Sequence, residues 1–160
     1  MWRRDEPGEG TSFHVYFPLI DSGIKEPKTI SEETVLKGDE RILLIDDETV
    51  IVSMEKEILE RLGYQVTSRT SSIEALEAFR EQPDKFDLVI TDMTMPNMTG
   101  DKLAGELIKI RPDIPIIMCT GFSERMSEEK AEYLGIKGFL MKPILLKDLS
   151  SLVRKVLDNK

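Results

Sequence analysis

Along most of this chain, short apolar runs alternate with longer stretches in which apolar residues recur every three or four positions. The alternation begins at Arg41. Ile42-Leu43-Leu44-Ile45 is wholly apolar, the pattern of a strand buried on both faces. Ile51, Met54, Ile58 and Leu62 then fall at helical spacing over residues 49–62, and Gly63 supplies a stop. Tyr64 to Thr67 predicts a second strand. Ser71 and Glu74 read as a capping box ahead of a helix carrying Ala75, Leu76 and Phe79. Phe86 to Thr91 is the third strand, and Leu103, Leu107 and Ile110 mark a third helix closed by Arg111-Pro112. Ile114 to Cys119 predicts the fourth strand, and Ser123 can cap a fourth helix through about Leu134. Lys137 to Leu140 predicts the fifth strand. Leu145, Leu149, Leu152 and Val156 line one face of a last helix.

Five strand–helix units of this kind imply a parallel sheet covered on both faces. The expected fold is α/β, a flavodoxin-like doubly wound (βα)5 with a five-stranded parallel sheet in the order 2-1-3-4-5. Ligands in such sheets bind beyond the carboxyl ends of the strands. The first part of the chain reads differently, being rich in Gly, Pro, Ser, Thr and Glu. Within it Phe13-His14-Val15-Tyr16-Phe17 predicts one short strand, stopped by Pro18. The division expected is a strand-like tail over 1–19, a polar linker over 20–39 and the α/β domain over 40–160.

Composition narrows the function classes. The net charge of -8 weighs against binding nucleic acid through its phosphates, which needs clustered Lys and Arg. The single cysteine, Cys119, excludes an internal disulfide and reads as a buried structural thiol. No apolar run approaches the roughly 18 residues of a membrane helix, and the start lacks the apolar core of a signal peptide. A cytoplasmic protein without membrane contact is expected.

Polar residues gather at the predicted strand ends. Asp46-Asp47-Glu48 follows the first strand, Asp92 the third, Thr120 the fourth and Lys142-Pro143 the fifth. The topology brings these ends to one rim. Carboxylates about 4 Å apart repel by roughly 4 kcal/mol at an effective dielectric near 20, so the cluster calls for a counter-cation. A hard divalent ion such as Mg²⁺ fits oxygen donors, and Lys142 supplies a second positive charge. A carboxylate beside Mg²⁺ can attack phosphorus and form an aspartyl phosphate, with Lys142 and the Thr120 hydroxyl stabilising the transferring oxygens. The third strand's place between the other ends makes Asp92 the best nucleophile.

The motifs Ile45-Asp46-Asp47-Glu48, Asp92-Met93-Thr94-Met95-Pro96-Asn97-Met98-Thr99-Gly100, Thr120-Gly121 and Phe139-Leu140-Met141-Lys142-Pro143 stand in order at the strand ends. From about Arg41 onward the chain resembles the response-regulator receiver (CheY-like) domains. The resemblance implies that Asp92 is the phosphoacceptor. It implies direct Mg²⁺ ligation by Asp47 and Asp92, ligation through water by Asp46, and a backbone carbonyl from Thr94. Thr120 and Lys142 match the groups that bind phosphoryl oxygens. Phe139 matches an aromatic that moves with Thr120 in switching, and the Lys142–Pro143 bond would be cis. Output is expected through the surface of the fourth helix, fifth strand and last helix.

Pro7 to Pro18 is similar to the end of a histidine-kinase ATP-binding domain, without the nucleotide site or the phosphorylated histidine. The chain thus resembles the tail of a hybrid sensor kinase, with a sensor histidine kinase or a histidine phosphotransfer protein as partner. It is expected to be a signalling receiver that catalyses its own phosphorylation and dephosphorylation, without a kinase core. Two other classes compete. An aspartyl-phosphate phosphohydrolase of the haloacid-dehalogenase type would carry Asp-x-Asp after the first strand, whereas Asp92 follows the third and Thr94 occupies the second acidic position. A receiver-like interaction module would have stopped cycling phosphate. Some readings are plainer: Asp47 and Glu48 as helix caps, Met93, Met95 and Met98 as packing, His14 as a strand residue, and Phe139 as packing as readily as switching.

Overall fold

The computed structural model describes residues 2–6, 10–16, 36–121 and 135–159. The chain divides into two compact units, Met1–Glu33 and Thr34–Lys160. In the first, β1 (Trp2–Glu6) and β2 (Gly10–His14) form an antiparallel pair, with Trp2 opposite His14 and Glu6 opposite Gly10. The strand expected at Phe13–Phe17 therefore starts earlier and ends at His14. Its partner was not anticipated, because Arg3, Arg4 and Asp5 interrupt the apolar alternation by which a strand is read.

The second unit contains β3 (Arg41–Ile45), α1 (Thr49–Arg61), β4 (Gln65–Arg69), α2 (Ser72–Glu81), a 3₁₀ turn at Pro83–Lys85 and β5 (Leu88–Asp92). It continues with α3 (Gly100–Ile110), β6 (Ile116–Thr120), β7 (Ile136–Met141) and α4 (Leu146–Asp158). The five strands form one parallel sheet in the order β4-β3-β5-β6-β7, the predicted 2-1-3-4-5. The helix expected from Ser123 to about Leu134 lies outside the described residues.

Alternate strand residues feed two cores, as a pleat requires. Leu43, Ile45, Val89, Ile116 and Met118 join Phe79, Leu103 and Leu107 of α2 and α3. Ile42, Leu44, Ile90, Ile117 and Cys119 join Val52 and Leu59 of α1 and Leu149 and Val153 of α4. Met95 is buried, and Met93 and Met98 pack against the first core. The cap of α2 is as read, with the Glu74 N–H donating to Ser71 Oγ at 3.4 Å. Two helices bury faces that match the expected ones only in part. In α1 the buried positions are Val52, Glu55 and Leu59, while Met54 is 49% exposed. In α4 the buried face is Leu149, Val153, Val156 and Leu157, and Leu145 precedes the helix at 60% exposure.

Candidate functional site

The rim at the carboxyl ends of β3, β5, β6 and β7 holds the predicted polar residues, and β5 carries its acid inside the strand. Asp92 is the last residue of β5, one position later than the sequence suggested for the strand's end. Its pairing with Cys119 of β6 and the close packing of α3 hold it in place. The Gly100 N–H donates to Met93 O at 2.9 Å. A Cβ on Gly100 would lie 2.1 Å from the Asp92 carbonyl oxygen, so only glycine lets α3 start this close to the strand end.

Three of the predicted side chains are in direct contact. Lys142 Nζ lies 2.6 Å from Asp46 Oδ2 and 2.5 Å from Asp92 Oδ1. Both carboxylates are buried. Their other oxygens accept backbone N–H groups, Asp46 Oδ1 from Glu48 at 2.9 Å and Asp92 Oδ2 from Thr94 at 2.8 Å. The Lys142 N–H in turn donates to Thr120 O at 2.9 Å, and the Lys142–Pro143 bond is cis.

The remaining predicted residues lie on the same rim, with Thr94 and Thr120 tied to the trio through their backbone. Thr120 ends β6, is buried, and donates its hydroxyl to Met141 Sδ at 3.4 Å. Asp47 and Thr94 are exposed at the rim. Phe139 is half-buried against the core that α2 and α3 cover. Among the described residues no three acidic, histidine or cysteine side chains close on one metal position. Asp46 Oδ2 and Asp92 Oδ1 do converge on one cation position, taken here by the Lys142 ammonium. Two hard carboxylate oxygens aimed at one cation suit Mg²⁺ chemically.

The electrostatics follow from burial opposed by pairing. Burial pushes the Asp92 carboxyl above its ordinary value, while Lys142 and the Thr94 N–H pull the other way. Burial works against the Lys142 ammonium, yet its bonds to Asp46 and Asp92 win and raise its pKa. Sequence reading missed one group here. Glu55 on α1 is buried at 3% exposure, and burial together with Asp46 pushes its carboxyl up to about 7. Burial and the Glu55 charge push the Cys119 thiol well up, consistent with an inert structural thiol. The signal for Glu55 was present. Val52, Glu55 and Leu59 are helically spaced with Leu62, but so are Ile51, Met54 and Ile58, and that stripe is wholly apolar.

The chain is similar to known proteins in sequence and in fold. The response regulator receiver domain family matches residues 42–154. The sensor kinase CckA of Brucella abortus is 32% identical over 162 residues, covering 96% of this chain and 17% of the kinase. A rice two-component response regulator, ORR22 of Oryza sativa subsp. indica, is 37% identical over 75% of this chain and 17% of its own length. The chain thus spans about a sixth of these curated relatives. A crystal structure of a receiver domain protein from Clostridium thermocellum superposes with a TM-score of 0.71 at 35% identity, over 75% of this chain and 95% of that one.

Proposed function

Because this chain belongs to the response regulator receiver family of two-component signalling, we propose that Asp92 is its phosphoacceptor. One observation carries the assignment. Asp92 is the buried carboxylate at the end of the central strand β5, with one oxygen on the Lys142 ammonium and the other on the Thr94 N–H, whereas Asp46, held in the same way, lies beyond the end of β3. A carboxylate oxygen attacks the phosphorus of a phosphohistidine. The new O–P bond forms as the P–N bond breaks, and the imidazole leaves. Lys142 is already placed to meet the negative charge of the transferred group.

Asp46, Asp47, Asp92 and the Thr94 carbonyl would hold Mg²⁺, which when bound neutralises charge on the transferring oxygens. Thr120 and Phe139 are the proposed switch pair, and the surface around β7 and α4 the proposed output face. Receiver domains of this signalling class interact with histidine kinases. For this chain a histidine phosphotransfer protein is a second proposed partner.

The first 19 residues are proposed as the end of a histidine-kinase ATP-binding domain, and the chain as part of a hybrid kinase. Two features support this. The similarity to the Brucella sensor kinase extends over 96% of the chain, well beyond the 75% shared with the plant regulator. The segment also forms a strand pair rather than an unstructured tail. No described helix is long and apolar enough to cross a membrane.

Labelling with a radioactive small phosphodonor, acetyl phosphate, tests the acceptor. The intact chain is expected to take up one base-labile phosphoryl group in Mg²⁺ and almost none in EDTA, and Asp92→Asn to take up none. Normal stoichiometry in Asp92→Asn would sink the assignment.

A further inference from the structure

Two charged bonds tie β3 and α4 together at opposite ends. Beyond the carboxyl end of β3, Asp46 holds Lys142, shortly before α4 begins. Before its amino end, Glu40 holds Arg154, in the third turn of α4. The strand between Glu40 and Asp46 is buried from Ile42 to Ile45 and paired on both sides, so it is the fixed member. The helix is the member able to respond.

The lower bond is built into its surroundings. Arg154 Nη1 lies 2.7 Å from Glu40 Oε1 and 2.8 Å from Glu40 Oε2, and Nη2 reaches Asp158 Oδ1 at 2.5 Å. The Arg154 side chain is only 14% exposed. Gly38 is pressed against the same group: an added Cβ would stand 2.3 Å from Glu40 Oε2 and 2.5 Å from Arg154 Nη1. Its N–H donates to Leu62 O at 3.1 Å, and Glu40 O accepts from the Gln65 N–H at 3.0 Å. Residues 38–40 are thereby stitched to the α1–β4 turn and to α4 at once. Beside the guanidinium lies the buried Tyr64 hydroxyl, close enough for Arg154 to favour its ionised form.

The upper bond is the one that phosphorylation disturbs. A phosphoryl group on Asp92 offers Lys142 several new oxygens in competition with Asp46. We infer that the Arg154–Glu40 pair is the pivot on which α4 turns when Lys142 is drawn to a modified Asp92, and that it passes the change to residues 38–40, where the upstream chain enters. This rests on Asp92 being the phosphoacceptor.

Hydrogen exchange of the full chain, with and without beryllium fluoride plus Mg²⁺, tests the inference. In the natural protein, exchange should change both in the peptide holding Asp92 and Thr94 and in the peptide spanning residues 36–41. In Arg154→Gln the first change should persist and the second fall at least threefold, with partial recovery in Arg154→Lys. Glu40→Gln removes the bond from the other side and should show the same loss, which covers the case of a misfolded Arg154→Gln. A full response at 36–41 in both neutral variants overturns the pivot. So does a natural protein that responds at Asp92 and not at 36–41. Silence at Asp92 itself overturns the phosphoacceptor reading and the pivot with it.

Discussion

Glu55 shows how one residue can be decided by its neighbours' geometry. Its carboxyl is pushed from about 4.5 to about 7, by burial first and by Asp46 second. A raised carboxyl pKa favours the protonated folded state. Stability is then highest below the unfolded value and falls as pH rises from about 4.5 to about 7, because only the unfolded chain ionises freely. Replacing Glu55 with Gln keeps the shape and removes the ionisation. Urea unfolding without metal should find Glu55→Gln more stable at pH 8 by on the order of 2 kcal/mol, and equal near pH 4.5. The Asp92 carboxyl, raised by burial, contributes in the same direction and remains in both proteins. Equal stabilities of the two proteins at pH 8 would show that Glu55 ionises without penalty. Asp46, Asp92 and Lys142 were legible in the sequence because strand ends gather on one rim whatever the details. Glu55 was not, because a one-residue turn of a helix decides which side faces the sheet.

At the scale of elements, β5 and α3 meet with no clearance. A methyl at Gly100 would lie 2.1 Å from the Asp92 carbonyl and 2.9 Å from Met118 Sδ. The first neighbour is backbone within a paired strand and has nowhere to go. Gly100→Ala should therefore destabilise the domain by about 1–3 kcal/mol. It should also slow acetyl phosphate labelling, since the nearest neighbour belongs to Asp92, the proposed acceptor. An unchanged urea midpoint would mean that α3 shifts freely. The order and type of the described elements of the α/β unit were largely readable from period, since β3, β5 and β6 are apolar on both faces and each described helix carries a stripe. Their ends were less so. β5 ends on Asp92 and β6 on Thr120 because backbone pairing continues after the apolar run stops. That pairing is set by neighbouring strands, which a local pattern does not contain.

For the whole molecule, the hydrophobic cores formed by the described residues lie within residues 42–157. A chain beginning at Thr34 should thus fold by itself, with a melting temperature within about 2 °C of the full chain and the same labelling at Asp92. A large loss would show that the first unit carries part of the stability. The amino-terminal hairpin was the least legible region, since one of its strands is mostly charged. The placement of Lys142 has a broader consequence. A dissociable ion reaches a site in proportion to its supply in solution, whereas an ammonium on a short tether is present at an effective concentration fixed by the fold. Asp46 and Asp92 therefore keep a counterion however scarce divalent metal becomes. The two buried acids are thus kept from driving the domain apart through ionic change, and any incoming cation must compete with an ammonium that the fold already holds between them.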